Sequence, residues 1–214
     1  MTTRDSLLVP DRNTCMVSIT DARDRILRRI ARSLVRDEPA LAVLSPYAPG
    51  MHGDMLDTPS LVIEDHGSIR LFEDSGNRAY SYRALLLAGD DDLVAIGAAR
   101  EREFEAYCRD YLGLGNPRVL VAAPAAGDAS LASRCREDAA FTAEAAAHAE
   151  AHGGLNILPY MGSWPVWELA GTIARRCRAP LRVIAPPPQL TRRVNDKIWF
   201  TRLLRSVFGP TSIP

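Results

Sequence analysis

The chain has 214 residues, 47% hydrophobic and 24% charged, and its 26 basic residues balance its 26 acidic ones. That composition allows one generous globular domain with a full core, and zero net charge removes the broad basic field that nucleic-acid binding needs. No apolar run approaches the length of a spanning helix, the charged start at Arg4 and Asp5 is unlike a secretory leader, and Cys15, Cys108, Cys135 and Cys177 lie too far apart for a disulfide or zinc framework, so a reducing cytoplasm is the expected home.

Residues 1–20 carry few signals and are expected to be loose, and residues 21–214 read as one domain. From Asp21 to Asp37, Ile26, Leu27, Ile30, Leu34 and Val35 share one face while Arg25, Arg28, Arg29, Arg32 and Arg36 sit elsewhere. This spacing predicts an amphipathic helix, with Thr20 as its N-cap. Residues 38–88 hold short β-like runs, Leu41–Leu44, Leu61–Glu64, Ser68–Phe72 and Ala79–Leu87, between turns rich in Pro, Gly and Asp. They read as an irregular, partly β extension leading into the main sheet.

From Leu93 the pattern becomes regular. Strands are predicted at Leu93–Ile96, Val119–Val121, Leu155–Leu158 and Leu181–Ile184. Helices are predicted at Glu101–Leu112 (Phe104, Cys108 and Tyr111 on one face), Ala129 to about His152, Pro165–Cys177 (Trp167, Ala170, Ile173 and Cys177 inward) and Asn195–Phe208. About four βα units of this kind, over residues 90–208, predict an α/β, Rossmann-like parallel sheet with helices on both faces.

Ligands in such a sheet lie beyond the carboxyl ends of the strands. That rule selects the loops Gly97–Arg100, Ala122–Ser130, Pro159–Trp164 and Ala185–Gln189, with Gly97, Asp128, Tyr160 and Ser163 as candidate substrate-binding residues. Asp90-Asp91-Asp92 precedes its strand and reads as a turn on the opposite edge. Gly113-Leu114-Gly115 ends a helix where a dinucleotide fingerprint would open one, and reads as a helix stop. His148 and His152 stand one turn apart in the order H-x-E-x-H, where a zinc-protease helix has H-E-x-x-H, and Gly153-Gly154 follows; no metal site is expected there.

The end of the chain resembles a known junction. Pro186-Pro187-Pro188-Gln189-Leu190-Thr191-Arg192-Arg193-Val194-Asn195-Asp196-Lys197-Ile198-Trp199-Phe200 is similar to the passage from the N-terminal domain of ATP-grasp enzymes into their nucleotide-binding module. Ser212-Ile213-Pro214 resembles the entry to the central domain. Asp91–Gly97, Tyr111–Val121 and Leu158–Ala170 are similar to the pre-ATP-grasp domain of peptide-ligase-like ATP-grasp proteins. The resemblance spans roughly residues 60–214 and implies a Rossmann-like pre-ATP-grasp domain or subunit of an ATP-dependent carboxylate–amine ligase.

In a complete enzyme of that kind ATP and Mg²⁺ activate a carboxylate as an acyl phosphate, which an amine then attacks. The resemblance implies that Lys197, the only lysine among the 26 basic residues, reaches toward nucleotide phosphates, with Asn195 beside it. The glycine-rich loop and acidic Mg²⁺ ligands of the family fall in the domains after this junction. The chain alone is therefore expected to hold neither cofactor and to be inactive, completed by a separate ATP-grasp polypeptide or left as a truncated remnant. The apolar face of the closing helix is expected to pack on its own sheet or to drive self-association. Two other classes fit the same residues: a non-catalytic binding module, and an independent Rossmann-type enzyme using a nucleotide-bearing cofactor, such as a transferase.

Overall fold

A computed structural model describes residues 24–32, 36, 51, 53–67, 69, 77–124 and 129–208. The readings on Thr20, Leu41–Leu44, Asp128, Ser212–Pro214 and most of Ser68–Phe72 lie outside these residues. The chain divides into two compact units, one of Met1–Val43 with Asp196–Pro214, the other of Leu44–Asn195. In the first, residues 24–32 form helix α1 and Lys197–Phe208 form α7. The other elements below belong to the second unit.

That unit is an α/β, Rossmann-like domain built on a five-stranded sheet. Its strands are β1 (Ser60–Ile63), β2 (Leu93–Ile96), β3 (Arg118–Val121), β4 (Leu155–Pro159) and β5 (Leu181–Val183), in the order β3-β2-β1-β4-β5. Every pairing is parallel. Between them run a 3₁₀ segment (Asn77–Leu86), α2 (Arg102–Asp110), α3 (Leu131–Glu137), α4 (Ala139–His152) and α5 (Trp164–Ala174), and α6 (Pro188–Asn195) follows β5.

The Leu61–Glu64 run is not part of an irregular extension. It is the central strand β1, bonded to β2 on one side and β4 on the other. All four of its residues are buried, as expected of a strand covered on both faces. Successive side chains enter different cores. Leu61 and Ile63 join Leu93, Ala95, Leu120, Leu155 and Ile157 against α3, α4 and α5, where Phe141, Ala145, Trp167, Leu169 and Ile173 close the layer. Val62 joins Val94, Ile96 and Val119 against Tyr82, Leu85 and Cys108 of the 3₁₀ segment and α2.

Five other expectations are corrected. Ala79–Leu87 is not β-like: it falls largely within the 3₁₀ segment, and the buried pairs Ser81/Ala84 and Tyr82/Leu85 follow the three-residue period of that helix. Phe104 and Tyr111 do not share the burial of Cys108, since Tyr111 is 83% exposed. The long helix from Ala129 is broken at Asp138, whose Oδ1 accepts from Ala140 N and Phe141 N and starts α4 afresh. The closing helix is likewise two, α6 and α7, with Asp196 Oδ1 accepting from Ile198 N and Trp199 N at the start of the second. Pro165–Cys177 is shorter than expected, ending at Ala174, with Cys177 half-buried beyond it.

The amino edge of the sheet is fastened by side-chain-to-backbone bonds. Asn156, fully buried in β4, accepts from Leu56 N at 2.9 Å and donates to Leu56 O at 3.1 Å and Thr58 O at 2.9 Å, tying down the approach to β1. Asp92 accepts from Ser60 N and Gly89 N, and Asp90 from Asn116 N. The acidic triplet thus organises turns. After α2 the chain turns at Gly113, whose φ of +64° few other residues tolerate. Asn156→Leu should lower the unfolding free energy by about 2–4 kcal/mol, because three partly buried backbone groups lose their partner; denaturant titration of the two proteins measures it.

Candidate functional site

With the order β3-β2-β1-β4-β5, the chain moves outward from β1 through β2 and β3, then crosses back to β4 on the other side of β1. The loops leaving β1 and β4 therefore diverge, and the crevice between their carboxyl ends is the topological switch point. Tyr160 N donates to Ile63 O at 3.0 Å, which sets Tyr160 beside the residues that follow β1.

Those residues are Glu64, Asp65, His66 and Gly67. The first three are 6%, 3% and 4% exposed, an unusual depth for consecutive ionisable side chains. Glu64 Oε2 lies 3.4 Å from His66 Nε2 and 3.9 Å from Arg83 Nε, and it accepts no hydrogen bond among the described residues. The His66 ring packs 4.3 Å from the Tyr160 ring and 5.7 Å from that of Tyr80, centroid to centroid. The Arg83 guanidinium stands 5.9 Å over the Tyr160 ring. Tyr80, Arg83 and Tyr160 all reach solvent, so the cluster has a buried acid and imidazole at its base and aromatic and cationic groups at its rim.

The loop is held by close approach. Asp65 Oδ1 accepts from Gly67 N, and a Cβ on Gly67 would stand 2.5 Å from Ser130 Cβ at the start of α3. Burial holds the His66 imidazole below its ordinary value, helped by Arg83 and opposed by Glu64 and Asp65. Burial and His152 act the same way on His148, whose Nε2 meets Asp91 O at the amino edge.

The neighbouring rims are filled by protein. Arg134 donates to Gly97 O at 2.9 Å, Ala122 O at 2.9 Å and Ala123 O at 3.1 Å, so one guanidinium clasps the ends of β2 and β3. A Cβ on Gly97 would meet Arg134 Nη1 at 2.8 Å. Asp138 Oδ2 accepts from Ala123 N, and its bonds to backbone N–H groups hold its carboxyl below the usual range. Beyond β4 and β5, Gly162 lies against the Pro186 carbonyl, which accepts from Trp167 Nε1 and Thr191 Oγ1. Cys135 is fully buried and its thiol is pushed far up by desolvation, a packing residue and not a nucleophile.

A family model for the pre ATP-grasp domain matches residues 81–174. Over this segment the chain is similar to the pre-ATP-grasp domain family. No curated protein and no solved structure matches the chain. The matched segment runs from within the 3₁₀ segment to the end of α5 and contains Arg83, Gly97, Tyr160 and Ser163. Glu64 and His66 precede it, and Asn195 and Lys197 follow it.

Of the residues singled out from sequence, Tyr160 belongs to the switch-point cluster. Ser163 sits at the N-cap of α5, 8% exposed, with Oγ making no hydrogen bond among the described residues. Gly97 serves as a seat for Arg134. Asn195 closes α6, its Nδ2 donating to Thr191 O. Lys197 is exposed at the opening of α7, in the other unit. Glu64, His66, Tyr80 and Arg83 were not anticipated. The available signal was an apolar run, Leu61-Val62-Ile63, passing directly into Glu-Asp-His-Gly, the form of a buried strand that ends in a polar loop.

Among the described residues no group of three His, Cys, Asp or Glu side chains stands together as metal ligands. This donor set does not fit a magnesium–nucleotide, and no step of nucleotide chemistry is assigned to it.

Two outcomes test the site's physical description. Gly67→Ala should destabilise the domain by about 1–3 kcal/mol, since the new methyl overlaps Ser130; thermal unfolding beside wild type checks it. A histidine whose folded value is depressed binds fewer protons than in the unfolded chain below its ordinary 6.5. Stability from His66 and His148 should therefore be complete above about pH 6.5 and fall as the pH drops below it. Denaturant titration from pH 8 to 5 should show this loss, reduced in His148→Gln.

Proposed function

We propose that the chain is the pre-ATP-grasp part of an ATP-dependent carboxylate–amine ligase of the peptide-ligase type. The supporting observation is the family match over residues 81–174 on a parallel sheet ordered β3-β2-β1-β4-β5. In this reading the domain contributes the switch-point rim of the substrate site. An ATP-grasp module, on the same or another polypeptide, supplies ATP, Mg²⁺ and the acyl phosphate step.

Lys197 has a defined role in this proposal. It opens a helix just after Asp196, whose side chain occupies the first free backbone N–H groups. An exposed ammonium there is a mobile point charge able to meet phosphate oxygens when the nucleotide module is in place. Asn195, one residue before the break, ends α6 and fixes where the chain leaves the domain.

The test is reconstitution. The chain combined with its ATP-grasp module should release phosphate from ATP only when both a carboxylate and an amine are supplied, and neither part should do so alone. Turnover by the chain alone, or none from the combination across a broad panel, would sink the reading. In the active combination Lys197→Ala should raise the KM for ATP by about tenfold, the scale of one lost charge-assisted contact, with the thermal stability of the chain unchanged.

A further inference from the structure

Among the described residues, the Glu64 carboxylate is left with an oxygen that no side chain serves. It is 6% exposed, and Oε2 accepts no hydrogen bond among the described residues. A buried carboxylate oxygen without a donor is costly, and native structures seldom keep one unless something fills the place. His66 Nε2 at 3.4 Å is held toward its neutral form by burial. Arg83 Nε at 3.9 Å is beyond hydrogen-bonding distance, and its side chain is half exposed. Neither neutralises the acid at close range.

The setting favours a cation. Tyr80 and Tyr160, 38% and 45% exposed, bring aromatic rings to the rim of the same cluster. Arg83 already places its guanidinium 5.9 Å over the Tyr160 ring, so this rim attracts positive charge from within the chain. The cluster also stands at the switch point, where an open parallel sheet receives small ligands.

We infer that the crevice between the ends of β1 and β4 is an ammonium-binding site, with Glu64 accepting a hydrogen bond from a primary ammonium group that rests against Tyr160 and Tyr80. The inference rests on the ligase reading only in identifying this ligand with the amine substrate. The ammonium supplies the donor that Oε2 lacks, in a charge-assisted bond. Arg83 competes for the same acid and the same ring, so it opposes the ligand and does not hold it. The acidic, aromatic site takes the amine in its protonated state and positions it at the rim.

The site is testable without catalysis. Chemical-shift titration of the full chain with a panel of L-amino-acid amides, and with their N-acetyl derivatives, separates the ammonium from the rest of the molecule. Amides should bind and the acetylated set should not. Glu64→Gln, nearly isosteric, should weaken binding by about tenfold or more, and Tyr160→Leu by a few-fold. Arg83→Met, which removes the competing cation, should tighten it. Binding by neither set, equal binding of both, indifference to Glu64→Gln, or weakening by Arg83→Met would each overturn the site. Should amides bind through Glu64 while no combination ligates, the site stands and the ligase reading fails. Should ligation proceed with a KM for the amine unmoved by Glu64→Gln, the reverse holds.

Discussion

The double burial of β1 is the constraint on which the second unit turns. A strand with a sheet neighbour on each side and packed layers on both faces can hold no polar side chain within its span without finding it a partner. Ser60 to Ile63 meet that demand, and the first ionisable residues appear only at the next position. Because the sheet order reverses around this strand, its carboxyl end is also where the loops part. Burial and topology thus place Glu64, whose Oε2 accepts no hydrogen bond among the described residues, at that carboxyl end.

The contrast with the rest of the sheet is instructive. At the amino edge, Asn156, Asp90 and Asp92 are engaged with backbone groups of the segments they fasten. At the carboxyl ends of β2 and β3, Arg134 answers three carbonyls at once. Beyond β4 and β5, the Pro186 carbonyl takes two side-chain donors. Polar groups at those places maintain the architecture. Glu64 differs, since its Oε2 serves no described backbone group.

In the ligase reading proposed above, this domain complements a nucleotide module supplied elsewhere. Phosphoryl transfer needs metal ions and several cations around the phosphate oxygens, which that module supplies in this reading. The described residues offer an ordered sheet edge and a short helix, α6, ending at Asn195. Asp196 interrupts the helical path there and restarts it with Lys197 in the first turn of α7.

The sequence by itself determined the parallel α/β class, the strands from Leu93 onward, the pre-ATP-grasp resemblance and the place of Tyr160. Apolar runs bounded by turns, alternating with helical periods, are local signals, and each lies within a window of a dozen residues. It did not disclose that Leu61–Ile63 is the middle of the sheet, because a three-residue apolar run looks the same in an edge, an extension or a core. Nor did it show Asp138 and Asp196 as breaks, since a capping aspartate and a solvated one are written alike. Only the tertiary structure brought Glu64 and His66 against Tyr160, about a hundred residues away in the chain. Parallel pairing joins strands that are distant in sequence, so the register of β1 with β4, and the cluster it creates, exists only once the sheet has closed.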